Sequence, residues 1–252
     1  MEVYVVAEAL RLVQLSGGKD SVAMALILHE QGVDFELIFA DTGAELPETY
    51  AHVLRVAGYL GKKLNVVQNG TFFEHLGRRN FFLPGPKRRW CTDELKTKPL
   101  RKFCDREGCV VYVGFRADEA RRAEAQSKRY WKYAEVRYPL VELGMSREDV
   151  LAICRAHDLL NPVYAWRSSV SCFCCPFQRK SDWIGLLRHH PDLYTLAESW
   201  EVQAKRRWNH VSLVELRRQY ETQLWLFEER TPESTSSVSE GEEGGGMDDH
   251  TG

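Results

Sequence analysis

The first strong pattern along the chain is the apolar run of residues 12–15, which ends at Ser16, Gly17, Gly18, Lys19, Asp20 and Ser21. Val22, Met24, Ala25, Leu26 and Leu28 then recur at helical spacing, so the segment predicts strand, tight loop and helix. Residues 35–40 (Phe-Glu-Leu-Ile-Phe-Ala) predict a second strand, closed by Asp41, Thr42 and Gly43. A helix over 47–60 follows, with Pro47 suited to its first turn. The alternation continues with a strand over 63–68, a helix over 71–79, a Pro- and Gly-rich loop over 82–86, a helix over 92–106 and a buried-type strand over 109–115. Alternating β and α segments predict an α/β fold, a mostly parallel sheet with helices on both faces. Ligands in such sheets bind beyond the carboxyl ends of the strands, where this reading places Gly17, Asp41 and Arg116.

Beyond Tyr138 the pattern changes. Ser146 and Asp149 frame a capped start for a helix over 147–159, Asn161 and Pro162 break it, and a cysteine-rich segment follows. Residues 179–229 predict a helical C-terminal region interrupted near Pro191 and Asn209, with Trp183, Trp200, Trp208 and Trp225 as packing residues. The organisation expected is therefore a nucleotide-binding α/β domain over 1–137, a cysteine-bearing helical region over 138–230 packed on it, and an acidic tail over 231–252. That tail holds Glu233, Glu240, Glu242, Glu243, Asp248 and Asp249 with no Lys, Arg or aromatic residue, a composition that predicts disorder.

Composition narrows the function classes. At 252 residues and 44% hydrophobic the chain can bury a large core, and it has no apolar run long enough to span a bilayer. Its first residues lack a basic leader, so the expectation is a cytoplasmic protein with no membrane partner. The formal charge of −2 comes from the tail; the remainder is mildly basic, which suits an anionic nucleotide and permits nucleic acid. Of the seven cysteines, Cys104, Cys109 and Cys154 lie in apolar or helical patterns and predict buried thiols. Cys172, Cys174 and Cys175 crowd into four residues, a poor core segment and a good soft-metal site.

The chemistry of residues 16–21 is that of an anion loop. Adjacent glycines let the backbone approach a ligand, the following helix points its first N–H groups at it, and Lys19, Ser16 and Ser21 add donors. The spacing fits neither the Walker A loop nor the dinucleotide fingerprint. It resembles the S-G-G-x-D-S loop of the adenine-nucleotide α-hydrolase (PP-loop) superfamily, which grips the phosphates of ATP or of adenylyl sulfates.

Four further segments resemble, in order, those of one branch, the phosphoadenosine phosphosulfate reductase family. Residues 41–49 are similar to its D-T-G-x-x-x-P-E-T segment, and residues 89–100 to R-x-C-x-x-x-x-K-x-x-P-L. Residues 114–123 resemble G-x-R-x-D-E-x-x-R-A, and the stretch from Tyr138 through Asn161, Pro162 and Tyr164 to the cysteines resembles P-L…N-P-x-Y…C-x-x-C. The resemblance implies that residues 16–21, with Asp41, Thr42, Gly43, Arg116 and Arg122, bind an adenine nucleotide. Lys19, Asp20, Lys96 and Arg116 are then the expected catalytic groups, with Asp20 a candidate Mg²⁺ or phosphate-orienting acid.

Iron–sulfur members of the family bring a cysteine before the K-x-x-P-L helix together with a later C-x-x-C. That implies a 4Fe–4S cluster on Cys91, Cys172 and Cys175, with Cys174 as the candidate fourth ligand or one iron left open, and with zinc on the same thiols as the alternative. One departure matters. Sulfonucleotide reductases carry a nucleophilic cysteine in a C-terminal E-C-G-[IL]-H segment, and this sequence has no cysteine after Cys175. The pattern is closer to the nucleotide-activating protein of DNA phosphorothioation. The implied activity is ATP-dependent sulfur transfer; an adenylyl-sulfate or phosphoadenylyl-sulfate reductase and a non-catalytic nucleotide-binding protein are the alternatives. Implied partners are a sulfur donor or reductant protein, nucleic acid as a candidate sulfur acceptor, and a second copy of the chain.

Overall fold

The computed structural model describes residues 9–208 and 212–228; the side chains of 126–130 and 224–228, residues 1–8 and the acidic stretch 231–252 lie outside the description. The expectations for the tail and for Trp225 therefore fall outside the described residues. Five strands, β1 (Leu10–Gln14), β2 (Glu36–Asp41), β3 (Leu64–Gln68), β4 (Cys109–Tyr112) and β5 (Glu135–Arg137), form one all-parallel sheet in the order β3-β2-β1-β4-β5. The chain builds one wing from β1 outward, then returns to place β4 on the other side of β1. That reversal opens a crevice between the carboxyl ends of β1 and β4.

Both faces of the sheet are covered, which is why its strands read as near-continuous apolar runs. On one face Val13, Leu37 and Phe39 pack with α1 (Lys19–Glu30), α2 (Pro47–Leu60) and α8 (Arg147–Ala156). On the other, Leu12, Ile38, Val111 and Val113 pack with Cys104 of α5 (Lys98–Cys104) and Ala123 of α6 (Ala120–Tyr130). Two short helices, α3 (Phe72–Gly77) and α4 (Trp90–Thr92), precede α5, and α7 (Pro139–Glu142) precedes α8. A second core gathers Trp183, Tyr194, Trp200 and Trp208 from α9 (Lys180–His189), α10 (Pro191–Ala204) and the chain after it. Leu213 and Leu216 of α11 (Leu213–Glu228) join it, as do Ala44, Leu46, Phe72 and Leu76 from the turns beyond β2 and β3.

The predicted elements are present, with instructive differences. Strand β5 was not expected, because its Glu135 and Arg137 are exposed and only Val136 carries an apolar signal. Strand β4 stops at Tyr112 rather than continuing to 115. The helix expected over 92–106 starts at Trp90 and widens into a π turn over Asp93–Thr97 before α5. The helix expected over 147–159 ends at Ala156, since Asp158 adopts a left-handed φ of 52°. The capping pair is as predicted: the Asp149 N–H donates to Ser146 Oγ at 3.2 Å and the Ser146 N–H to Asp149 Oδ2 at 2.8 Å. Cys104, Cys109 and Cys154 are buried, also as predicted. No helix among the described residues is long and apolar enough to cross a membrane.

Candidate functional site

The loop of residues 16–21 leaves β1 and enters α1 at the crevice. Gly17 takes φ +75°, and a Cβ there would lie 3.1 Å from Thr49 Cγ2 and 3.2 Å from Val53 Cγ2, so the turn needs glycine both for its conformation and for its fit against α2. Ser21 ties the loop shut: its hydroxyl accepts from the Ser16 N–H at 3.1 Å and donates to the Gly18 carbonyl at 2.9 Å. The N-cap of α1 is Gly18, which has no side chain to cap the helix, so apart from the Lys19 N–H the first turn is left to face an anion.

Distant residues clamp this loop. Asn161 Nδ2 donates to the Gly17 carbonyl at 3.0 Å, the Lys19 N–H donates to Tyr164 Oη at 3.2 Å, and Cys154 Sγ lies 3.3 Å from the Lys19 carbonyl. Gly114, just beyond β4, completes the enclosure. A Cβ there would stand 3.1 Å from the backbone of Asp20 and Ser21, so only glycine lets the strand end pass this close to α1.

Charge within the loop is internally balanced. Asp20 Oδ2 receives Lys19 Nζ at 3.0 Å and Arg116 Nη1 at 2.9 Å. Arg116 is also held by both oxygens of Asp118 at 3.0 Å. Burial works against its charge, but the hydrogen bonds it donates to Asp118 and Asp20 prevail and hold its pKa above the usual guanidinium value.

A cavity of about 240 Å³ opens over the ends of β1, β2 and β4. Ile38, Phe39, Val113 and Phe115 give it apolar walls, Ser16 and Ser21 bring the loop to its edge, and Lys96, Arg122 and Glu45 supply charge. The predicted cations thus divide. Lys96 and Arg122 line the cavity, whereas Arg116 is engaged by carboxylates beside the loop. Arg122 is the most exposed of the three, paired with Glu119 at 2.8 Å and set 4.7 Å over the Phe115 ring. Asp41 and Gly43 build the turn after β2: Asp41 Oδ1 accepts from the Gly43 N–H at 2.8 Å and from Tyr50 Oη at 2.7 Å. Thr42 turns toward the cysteines instead, with Oγ1 3.4 Å from Cys172 Sγ.

Sequence reasoning missed Glu45. Its side chain is 3% exposed, and Oε1 meets Thr42 Oγ1 at 2.9 Å, Cys172 Sγ at 3.5 Å and Lys96 Nζ at 3.5 Å. The Glu45 carboxylate, with lesser help from the nearby thiols, holds the Lys96 ammonium firmly charged. The signal available was a lone carboxylate between Ala44 and Leu46, both buried, just past a strand end. Arg167 was missed as well. Buried at 3% exposure, it donates to the carbonyls of Ser171 and Cys172 at 3.0 and 2.9 Å and so shapes the cysteine loop. That loop is also stitched to the β2 side by the Phe173 N–H, which donates to the Ala44 carbonyl at 2.8 Å.

Cys91 on α4 and Cys172, Cys174 and Cys175 on the loop before α9 share one neighbourhood. Burial, then the neighbouring Cys175, raises the Cys91 pKa; burial, then Glu45, raises that of Cys172; burial and the other three sulfurs raise that of Cys174. In donor chemistry the set fits a soft metal centre, with four thiols and two cations, Lys96 and Arg167, to balance thiolate charge. In spacing it is not closed. Among the described residues, no three His, Cys, Asp or Glu side chains are gathered tightly enough to hold an ion.

The phosphoadenosine phosphosulfate reductase domain family matches residues 11–176, from β1 through the last thiol. An uncharacterised protein of Methanocaldococcus jannaschii is 27% identical over 222 residues, covering 79% of this chain and 46% of that protein. An uncharacterised nin region protein of Escherichia phage lambda is 28% identical over 177 residues, 57% of this chain and 58% of that protein. The chain spans about half the length of these curated relatives.

Among solved structures, a phosphoadenylyl-sulfate reductase from Candida auris in a phosphate complex aligns with TM-score 0.49 and 16% identity over 67% of this chain and 84% of that one. The U34-tRNA thiolase NcsA of Methanococcus maripaludis, with its [4Fe-4S] cluster, aligns with TM-score 0.45 and 19% identity over 82% and 75%. Neither likeness is close enough to transfer chemistry. The match over residues 11–176 takes in the anion loop, the crevice and all four clustered thiols, and by it the chain belongs to the phosphoadenosine phosphosulfate reductase domain family.

Proposed function

We propose that this chain is an ATP-activating enzyme of sulfur transfer, in which the loop of residues 16–21 holds the nucleotide and Cys91, Cys172, Cys174 and Cys175 serve an adjoining iron–sulfur centre. The observation that carries the reading is the shared wall: Glu45 and Lys96 line the nucleotide cavity, and Glu45 touches Cys172 at 3.5 Å. An activated acceptor formed in the cavity would therefore arise beside the thiols.

The residues divide the task by their chemistry. Apolar walls at Ile38, Phe39 and Phe115 suit an adenine ring. The first turn of α1 and Lys19 take the phosphates, while Lys96 and Arg122 face charge that develops on the departing pyrophosphate. Asp20 hands Lys19 and Arg116 to the phosphates or holds a Mg²⁺ ion against them. In the chemistry proposed, an acceptor oxygen attacks the α-phosphorus, and the bond to the β-phosphate breaks with pyrophosphate taking the electron pair. A hydrosulfide-level sulfur nucleophile then displaces AMP from the acceptor. A 4Fe–4S cluster held by three of these thiolates would have one iron open to carry that sulfur.

The test is anaerobic purification followed by iron, sulfide and zinc assays, with nucleotide binding and turnover measured on the same material. The expected result is brown protein with about four irons per chain, lost in Cys172→Ser/Cys175→Ser, and pyrophosphate release from ATP, once an acceptor is supplied, that fails in Lys19→Ala. Stoichiometric zinc without iron would replace the cluster with a structural site. Sulfite from phosphoadenylyl sulfate and thioredoxin, at about 1 per second or faster, would make the chain a reductase. Nucleotide binding with neither reaction would leave a non-catalytic binding protein.

A further inference from the structure

Outside the nucleotide cavity, the segment between α3 and α4 forms an open cup beside the thiols. Asn80 and Phe81 take left-handed φ values of 49° and 57° and reverse the chain. The concavity that follows, of about 570 Å³, is lined by Arg79, Asn80, Phe82, Arg88 and Trp90. Its aromatic rings carry guanidinium groups laid over them. Arg88 stands 5.6 Å and Arg206 5.0 Å from the Phe82 ring centre, and Arg79 stands 4.7 Å from that of Trp90. The indole is fixed in place, its Nε1–H donating to the Phe82 carbonyl at 3.0 Å.

The cup adjoins the sulfurs on both sides. Trp90 precedes Cys91, and Arg89 lies 4.9 Å over the ring of Phe177, a half-exposed residue two positions after Cys175. Its charge is one-sided. Arg79 pairs with Glu94 at 3.2 Å, but no carboxylate among the described residues forms an ion pair with Arg78, Lys87, Arg88, Arg89 or Arg206. Arg88 on the wall and Arg206 over Phe82, with Arg78, Lys87 and Arg89 in the flanking chain, make the cup attractive to a polyanion.

The aromatic faces decide which polyanion. An acidic peptide uses the cations and leaves the rings idle, and a duplex buries its bases and fills no cup of two rings. A single strand uses both, with bases stacking on rings or guanidinium planes while the N–H donors meet phosphates. We propose that this cup binds a single-stranded stretch of nucleic acid, with phosphates on Arg88 and Arg206 and a base against Phe82 and Trp90, so that the next nucleotide lies at the thiols. That this strand is the sulfur acceptor rests on the sulfur-transfer reading above; the binding itself does not.

The experiment is fluorescence anisotropy of the full chain with labelled 12-nucleotide single strands of RNA and DNA, the matching duplexes, and a peptide of residues 231–252, between 50 and 200 mM salt. A single strand should bind best. Arg88→Ala/Arg206→Ala should weaken it at least 10-fold and flatten its log–log salt slope by about 1.4, the value for two lost phosphate contacts. Phe82→Leu should weaken it about 5-fold or more with the slope unchanged. ATP affinity should be the same in these variants, showing that they fold. Absent single-strand binding, a duplex or the acidic peptide binding more tightly, or unchanged affinity in the variants would each overturn the proposal. Strand binding that persists in a Lys19→Ala chain without ATP affinity or turnover would leave the cup standing while the sulfur-transfer reading falls.

Discussion

Two loops meet at the carboxyl edge of the sheet and are built on opposite terms. The phosphate loop is complete before any ligand arrives: Ser21 closes it, Asn161 and Tyr164 clamp it, and Asp20 balances its cations. The cysteine loop has its backbone held by Arg167 and by the Ala44 carbonyl, yet its sulfurs come from two separate segments and do not converge at ligand spacing. A preorganised anion site owes its strength to geometry already present, whereas a thiolate centre draws part of its folding energy from the metal itself. The difference teaches where each half is vulnerable: the first to steric change, the second to loss of its backbone supports.

The largest expected effect breaks the preorganised half. In Gly114→Val the new Cβ meets backbone atoms of Asp20 and Ser21 at 3.1 Å, which cannot rotate away. Overpacking of this kind costs about 3 kcal/mol. Calorimetry should show nucleotide affinity down by about 100-fold, equivalent to ~2.7 kcal/mol. Retained affinity would mean that the loop tolerates displacement and is not preformed.

The next variant strikes the other half. Arg167→Met leaves the half-buried carbonyls of Ser171 and Cys172 without this donor, a loss of about 1–2 kcal/mol read by denaturant unfolding. Metal retention should fall while nucleotide affinity stays within about 3-fold. An equal fall in both would show that the two loops act as one unit.

A pH measurement sharpens the comparison further. His52 lies buried in α2 behind the phosphate loop, its Nε2 has no partner, and burial pushes its pKa down to about 4. The unfolded chain takes up this proton as pH falls through about 6.5, whereas the folded one does so only near 4. Stability is therefore full above about 6.5 and is lost toward 4, by about 2 kcal/mol at pH 5 for this group. His52→Leu should lose correspondingly less between pH 7 and pH 5 in thermal unfolding. An equal loss in both chains would place the titrating group elsewhere.

The smallest effect tests the clamp between the halves. Asn161→Ala removes the donor to the Gly17 carbonyl and should cost about 1–2 kcal/mol, with nucleotide affinity down several-fold.

The sequence made the phosphate half legible because its information is contiguous: six residues at a strand–helix junction carry turn, donors and charge together. The central strands were legible for the related reason that burial on both faces leaves near-continuous apolar runs. Strand β5 was not, since a polar edge strand of three residues is defined by its partner β4 rather than by its own pattern. Glu45 and Arg167 escaped for a similar reason. Each is a lone charge in an apolar stretch, and its meaning depends on which backbone or sulfur the fold brings against it. The four thiols were recognisable by type, while their spacing is a property of tertiary structure that no one-dimensional pattern encodes.

The clamp on the phosphate loop also sets an order of events during synthesis. Asn161 and Tyr164 reach back across 144 and 145 positions to Gly17 and Lys19. On a ribosome adding roughly 5–20 residues per second, the loop and its helix leave the tunnel some 7–30 seconds before their clamps exist. Such distant contacts are slow to close. The nascent chain thus spends that interval with its strands able to pair but its anion site unfinished, and a nucleotide would find no completed loop until the cysteine segment is also close to emerging.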